Sequence, residues 1–163
     1  MANDASMIRL ISLGDRALAL AKKTDSAALL VARLTVGVLF VSTGWGKVNN
    51  LAKVTDFFTE LGIPMPGFNA TLASYTELVC GFLLVIGLAS RLAAIPLVVT
   101  MTVAILTAKK SELHSIPDLF GFVEWTYLAI LLVIFALGPG KLALDTLVER
   151  RLRSAGSPQP LSS

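Results

Sequence analysis

Three ionisable side chains stand inside long apolar stretches of the sequence. Glu77 lies in the run TLASYTELVCGFLLVIGLASR, Arg33 in an earlier run and Glu124 in a later one. If these runs cross a bilayer, a charge near the centre costs roughly 2.5–3.5 kcal/mol unless it is compensated. Such side chains are expected to face the interior of a helix bundle and to pair there. Intramembrane carboxylates in that setting are also candidates for carrying protons.

Three side chains are candidates for proton chemistry, namely Glu77, Glu124 and Lys47, which ends the first apolar run. Depth along the helices predicts a buried ion pair between Arg33 and Glu77, because the helical rise separates them by about 9 Å along the membrane normal. A buried pair can also be purely structural and fix which helices pack together. A protonated Glu77 bonded to a nearby hydroxyl is a third interpretation.

Aromatic side chains flank Lys47 and Glu124: Trp45, Trp125 and Tyr127. Tryptophan and tyrosine are enriched where a membrane meets water, so an aromatic belt is one interpretation. The other is a wet vestibule on the outer side, lined by carboxylates and an amine and walled by aromatic rings. A planar quinone head group would fit such a vestibule, and these three rings are its candidate binding residues.

Four apolar runs account for these positions, at about residues 27–46, 70–88, 92–108 and 121–138. Each is about 17–20 residues long, which roughly matches a ~30 Å hydrocarbon core. Hydrophobic residues make up 55% of the chain and charged residues 15%, against about 25% charged in soluble domains. The sequence therefore predicts an all-α, integral membrane four-helix bundle over residues 27–145.

The segments outside the four runs have their own patterns. Residues 1–26 predict a cytoplasmic amphipathic helix, although a frayed polar leader fits equally well. In the loop 46–69, apolar residues recur every three or four positions, which predicts a short interfacial helix on the external side. Residues 146–163 are basic and then rich in small residues and proline, which predicts a disordered tail.

Lysine and arginine residues predict the orientation. Nine lie in the two terminal segments and the turn at Arg91, and four lie in the two longer loops. Because cytoplasmic loops carry the excess of these residues, both termini are expected in the cytoplasm of a multi-pass protein in the inner membrane. The net charge of +3 reflects these flanks, and no clustered basic face indicates nucleic-acid binding.

Other kinds of site have little support in the residue types. His114 is the single histidine and Cys80 the single cysteine, so neither a metal site nor a dithiol pair within the chain is expected. No resident cofactor is predicted, and quinone is the one candidate ligand.

Five pieces of sequence, spread over residues 29–145, together resemble the DoxX family of small four-span bacterial membrane proteins. They are LLVARLTVGVLFVSTGWGKV, LGIPMP, ELVCGFLLVIGLASRLAA, GFVEWTYL and GPGKLALD. Two of them place Arg91 at a turn and Asp145 at the end of the last piece, as helix-end residues. Ala143 departs from the pattern, which often has serine there.

The resemblance implies an inner-membrane accessory protein or membrane subunit in a redox, quinone-linked or envelope-stress context. Its partners would be the lipid bilayer and a membrane or peripheral protein. The family shares its name with a subunit of an archaeal thiosulfate:quinone oxidoreductase. Two alternatives stay open: an oxidoreductase subunit whose Glu77, Glu124 and Lys47 handle protons, and a small transporter acting as a homo-oligomer. Whether the chain is itself an enzyme is left open.

Overall fold

The computed structural model describes residues 26–140, 143–146 and 151. The helices bounded there are α1 (Ser26–Val48), α2 (Leu51–Glu60), α3 (Pro66–Ile86), α4 (Ser90–Thr107), α5 (Ile116–Gly121) and α6 (Val123–Leu137). Residues 144–146 and 151 are also helical. This part of the chain has no β-strand, so the predicted all-α class is confirmed. The predicted amphipathic leader, apart from Ser26, and nearly all of the predicted tail lie outside the described residues.

Three helices, α1, α3 and α4, are long and apolar enough to cross a membrane. Helix α6 has 15 residues and is therefore only about 22 Å long. Its two ends nevertheless lie level with those of the longer helices. After its last turn, the carbonyl of Pro139 accepts a hydrogen bond from Arg33 in α1, and Glu124 in its first turn shares a cavity with Lys47 at the other end of α1. The four apolar helices thus run up, down, up and down as a membrane bundle.

Glycines set the register between α1 and α3. A Cβ atom on Gly44 would lie 2.8 Å from the Cα of Leu78, and one on Gly81 would lie 2.9 Å from the Cβ of Phe40. Only glycine lets the two backbones approach this closely, as small residues commonly do between membrane helices. Residue 44 therefore lies level with residue 78, and residue 40 with residue 81.

The core lies mainly between α4 and α6, with contributions from α1 and α3. Its fully buried side chains include Phe40, Leu84, Leu97, Leu131 and Ile134. Large apolar side chains also cover the outside of the bundle, among them Val31, Val38, Phe82, Val99 and Phe135. An apolar exterior of this extent is typical of a surface that contacts lipid.

Asp145, in the segment after α6, lies at the end of the bundle at which α3 turns into α4. Gly87 and Ala89 in this turn have φ angles of +73° and +49°. The Asp145 carboxylate accepts hydrogen bonds from the backbone N–H groups of Ala89 (2.7 Å) and Ser90 (3.1 Å). An acidic side chain at a helix N-terminus satisfies free backbone donors and the helix dipole. These two bonds therefore compensate the strained left-handed conformation of Ala89.

The loop between α4 and α6 carries α5, which begins with a capping box. The Asp118 carboxylate accepts hydrogen bonds from the backbone N–H groups of Ser115 (2.7 Å) and His114 (3.1 Å). The Ser115 hydroxyl and these backbone donors lower the pKa of Asp118, because they stabilise its ionised form.

Candidate functional site

Glu77 is buried in the bundle, with 1% of its surface exposed, and both of its oxygens have partners. Lys47 Nζ donates a hydrogen bond to Oε1 at 2.5 Å, and the Thr43 hydroxyl donates one to Oε2 at 3.0 Å. The Lys47 side chain is 35% exposed. The pair therefore joins a carboxylate that cannot reach solvent to an ammonium group that can.

The predicted Arg33–Glu77 pair is wrong. The register set by the glycines places Glu77 level with Gly44, eleven residues along α1 from Arg33, which is about 16 Å by the helical rise. The sequence gives the depth of each residue within its own helix, but it does not give the axial offset between the two helices. The cation that reaches Glu77 is Lys47.

Arg33 lies at the opposite end of the bundle, beneath the turn between α3 and α4. Its Nη1 donates a hydrogen bond to the carbonyl of Pro139 at 3.0 Å, and its guanidinium packs against Gly87. Arg91 Nη2 lies 3.4 Å from the carbonyl of Ala136. Both cations thus face the C-terminal end of α6, where the helix dipole favours positive charge. Arg91 and Asp145, the predicted helix-end residues, lie in this layer.

A cavity of about 1190 Å³ lies between α2, α3 and α4 and reaches the first turn of α6. Lys47, Glu77 and Glu124, the three predicted proton-handling residues, all line it. Most of the remaining wall is apolar. Ligand sites commonly have this character, a largely apolar wall with a few polar groups that orient the ligand.

The cavity opens sideways, toward the surface that faces lipid. Ile95, Val99 and Val103 line it from α4 and are 47%, 56% and 43% exposed. Their spacing of four residues places them on one face of the helix. A membrane-dissolved molecule could therefore enter with its polar end toward Lys47 and leave an apolar chain in the lipid.

Glu124 has an unusual environment. Its Oε2 atom is buried and receives no hydrogen bond within the described part of the chain. The side chain stands in the first turn of α6, where the helix dipole favours a negative charge. Buried polar atoms nearly always have a partner, so this oxygen is an exception among the buried polar atoms of the described residues.

The three predicted aromatic binding residues do not line the cavity. Trp45 is 62% exposed on the outside of α1, whereas Trp125 and Tyr127 pack against the core. The rings in the wall are Phe57 and Phe58 of α2. The sequence predicts α2 as an interfacial helix, and that prediction does not include its contribution to the cavity wall. The available signal was its amphipathic spacing, because an apolar face above the bundle can cover a cavity.

No group of three or more histidine, cysteine, aspartate or glutamate side chains within the described residues could hold a metal ion. Cys80 lies partly buried on α3 as a free thiol.

Comparison with known proteins identifies the family. The DoxX family model matches residues 28–110, which contain α1 from its third residue onward and all of α2 to α4, and with them Lys47 and Glu77. The chain belongs to the DoxX family. Glu124 and α6 lie beyond the segment that the DoxX model matches, so the third polar group of the cavity comes from outside it.

Several relatives of this DoxX protein are similar over most of their length. An uncharacterized membrane protein of Mycobacterium tuberculosis is 36% identical over 143 residues, which cover 80% of this chain and 86% of the relative. The inner membrane protein YqjF of Escherichia coli is 26% identical over 80% of this chain and 98% of its own length. A Bacillus subtilis protein named "Putative oxidoreductase CatD" is 30% identical over 77% and 90%. No solved structure matches the chain significantly.

Proposed function

We propose that this DoxX protein is an inner-membrane accessory or membrane subunit of a quinone-linked redox system, and that its cavity binds the quinone head group. The observation that carries the proposal is the cavity itself, in which the Lys47–Glu77 pair and Glu124 lie in an apolar wall that opens toward lipid. The names of two relatives agree with it, one named an inner membrane protein and one a "Putative oxidoreductase".

The chemistry of the cavity residues supports a quinone as the ligand. The Phe57 and Phe58 rings line the cavity from α2 and offer an apolar surface to a planar ring. The lateral opening leaves an isoprenoid chain in the bilayer. Lys47 uses one of its three N–H donors on Glu77, so the others are available to a ring oxygen. Site and ligand thus agree in polarity and in the route of entry.

The ligand's chemistry requires protons as well as electrons, because reduction of a quinone to a quinol takes up two of each. In this proposal the chain's own residues hold the protons and a membrane or peripheral partner protein exchanges the electrons. Glu77 is enclosed, whereas Lys47 reaches solvent, so the pair connects the interior of the cavity with water. Glu124 supplies a second carboxylate at the same cavity.

The proposal includes an orientation, with both termini in the cytoplasm and the cavity near the external face. Nine lysine and arginine residues in the terminal segments and the α3–α4 turn, against four in the longer loops, support it. Reporter fusions after residue 155 should read cytoplasmic, and fusions at Lys53 and Ser111 should read external. A cytoplasmic reading at Lys53 with an external C-terminus would reverse the orientation.

Filling the cavity tests the function directly. Ala104 lines the cavity from α4, so Ala104→Phe should reduce ubiquinone-1 binding at least tenfold, measured by ultrafiltration of the detergent-solubilised protein. Ala129 is exposed on α6 and does not line the cavity, so Ala129→Phe is the matched control and should bind like the parent. If the folded parent binds no ubiquinone-1, or if both variants bind equally well, the cavity is not a quinone site.

A further inference from the structure

We propose that Thr43 is a positioning residue that allows Glu77 to alternate between a carboxylate and a carboxylic acid, so that Glu77 stores one proton for the ligand of the cavity. The inference deepens the proposed function and rests on it, because a proton store serves quinone chemistry only if the cavity binds quinone. Glu77 lines the cavity from α3, and the Thr43 hydroxyl reaches it from α1.

The Thr43 hydroxyl has two acceptors within hydrogen-bonding distance. Its Oγ1 atom lies 3.0 Å from Glu77 Oε2 and 3.3 Å from the carbonyl oxygen of Phe40, one turn earlier in α1. A hydroxyl has one proton to donate and two lone pairs that accept, and it rotates to suit its partners. When Thr43 donates to Phe40, its oxygen can therefore accept a hydrogen bond from Glu77.

Lys47 determines which oxygen of Glu77 takes the proton. Its Nζ atom donates to Oε1 at 2.5 Å, and an ammonium group has donors but no acceptor. A proton on Oε1 would point at another donor, whereas a proton on Oε2 has Thr43 Oγ1 as its acceptor. The added proton therefore belongs on Oε2, and Lys47 keeps its bond to Oε1 in both states.

Both oxygens of Glu77 have a partner in either state. As a carboxylate, Glu77 accepts from Lys47 and Thr43. As an acid, it accepts from Lys47 and donates to Thr43, whose own proton turns to Phe40. Because Glu77 is 1% exposed, an unsatisfied polar atom here would be costly, and the rotating hydroxyl removes that cost. The change adds one proton, taken from water and passed on to the reduced ligand, and involves no electrons.

Thr43 differs in this respect from the other threonines of the described residues. Threonine hydroxyls in helices commonly bond to a carbonyl three or four residues earlier, as those of Thr71, Thr100 and Thr102 do here. Within the described part of the chain, Thr43 is the threonine whose hydroxyl also reaches a carboxylate. Its side chain is exposed on α1, so valine, which has the same shape, can replace it without repacking the core.

Further charged groups line the same cavity from α2, from α6 and from the segment after α4: Lys53, Glu124, Lys109 and Glu112. Lys109 and Glu112 pair with each other. Within the described residues, Lys47 is the charged group that pairs with Glu77. A titration of the protein must therefore distinguish Glu77 from the two other carboxyl groups of the cavity.

The experiment records infrared difference spectra of the full-length protein in detergent between alkaline and acid pH. Glu77→Gln should remove the C=O band of the protonated Glu77 carboxyl group, whereas Glu124→Gln should leave it. In Thr43→Val the band should move to higher wavenumber, because the acid loses one hydrogen bond. Thr43→Ser keeps the hydroxyl and should restore the position of the parent band. Ser42→Ala, at the neighbouring exposed position, is the matched control and should not move it.

The outcomes separate this inference from the function on which it rests. If Glu77→Gln removes no band at any pH at which the parent stays folded, Glu77 takes up no proton and the inference is overturned. It is also overturned if the band of Thr43→Val lies where the parent band lies, because the acid then does not donate to Thr43. Neither result affects the quinone site. If the band shifts as expected but the folded parent binds no ubiquinone-1, the proposed function fails, and with it the assignment of the stored proton to quinone chemistry.

Discussion

Removing the cation from the Lys47–Glu77 pair should destabilise the protein more than neutralising the carboxylate. In Lys47→Met, Glu77 stays at a site with 1% exposure and keeps only the Thr43 hydroxyl. In Glu77→Gln, Lys47 is already 35% exposed and can turn toward water. Loss of Lys47 therefore leaves a buried carboxylate without its cation, whereas loss of the Glu77 charge leaves an ammonium group that water can solvate.

The magnitudes follow from this asymmetry. Breaking a fully buried pair costs about 3–5 kcal/mol, and the partial exposure of Lys47 lowers this to about 2–3 kcal/mol for Lys47→Met. Glu77→Gln keeps an acceptor for Lys47 and should cost about 1 kcal/mol. The double variant should be more stable than the sum of the single losses by about 1–2 kcal/mol.

The assay is the free energy of unfolding in mixed micelles titrated with sodium dodecyl sulfate. A second cycle with Arg33→Met and Glu77→Gln is the control, and it should be additive within about 0.5 kcal/mol because the two sites are far apart. The reasoning is refuted if Glu77→Gln costs as much as Lys47→Met, or if coupling appears with Arg33 and not with Lys47.

Three further predictions concern positions away from the pair. Gly44→Ala should destabilise the bundle by about 1–3 kcal/mol in the same unfolding assay, because its new methyl group meets the backbone of α3; Gly46→Ala, with nothing within 4 Å, should not. Asp145→Ala should lower the melting temperature in detergent by removing the cap of α4, a loss of about 0.5–2 kcal/mol, and an unchanged melting temperature would contradict that role. The lowered pKa of Asp118 means that its contribution to stability is present above the unfolded pKa of about 3.9 and is lost as the pH falls through the folded value. The difference in melting temperature between the parent and Asp118→Asn should therefore shrink below about pH 4, and a constant difference would argue against the linkage.

Much of the fold could be predicted from the sequence because the local composition of a segment determines whether it can span a membrane. A run of about 20 apolar residues has few alternatives to a helix in lipid, since every backbone polar group must be satisfied within the segment. The predicted runs match α1, α3, α4 and α6 to within a few residues. The interfacial helix α2 was also predictable, because its amphipathic spacing is a local property.

The candidate site was predictable only in part. Lys47, Glu77 and Glu124 were singled out because charges in apolar runs must face the interior, and all three line one cavity. Their partners were not predictable in the same way. A sequence gives the depth of a residue within its own helix, but the offset between two helices depends on how their surfaces interlock.

That offset was decided by tertiary structure. Gly44 and Gly81 let the backbones of α1 and α3 approach closely, and the register they set brings Lys47, and not Arg33, to Glu77. The same packing sends Arg33 to the carbonyl of Pro139, more than a hundred residues later in the chain. Charge placement is fixed residue by residue in the sequence, whereas charge pairing depends on distances of a few ångströms between helices. Those distances are known only once the helices are packed.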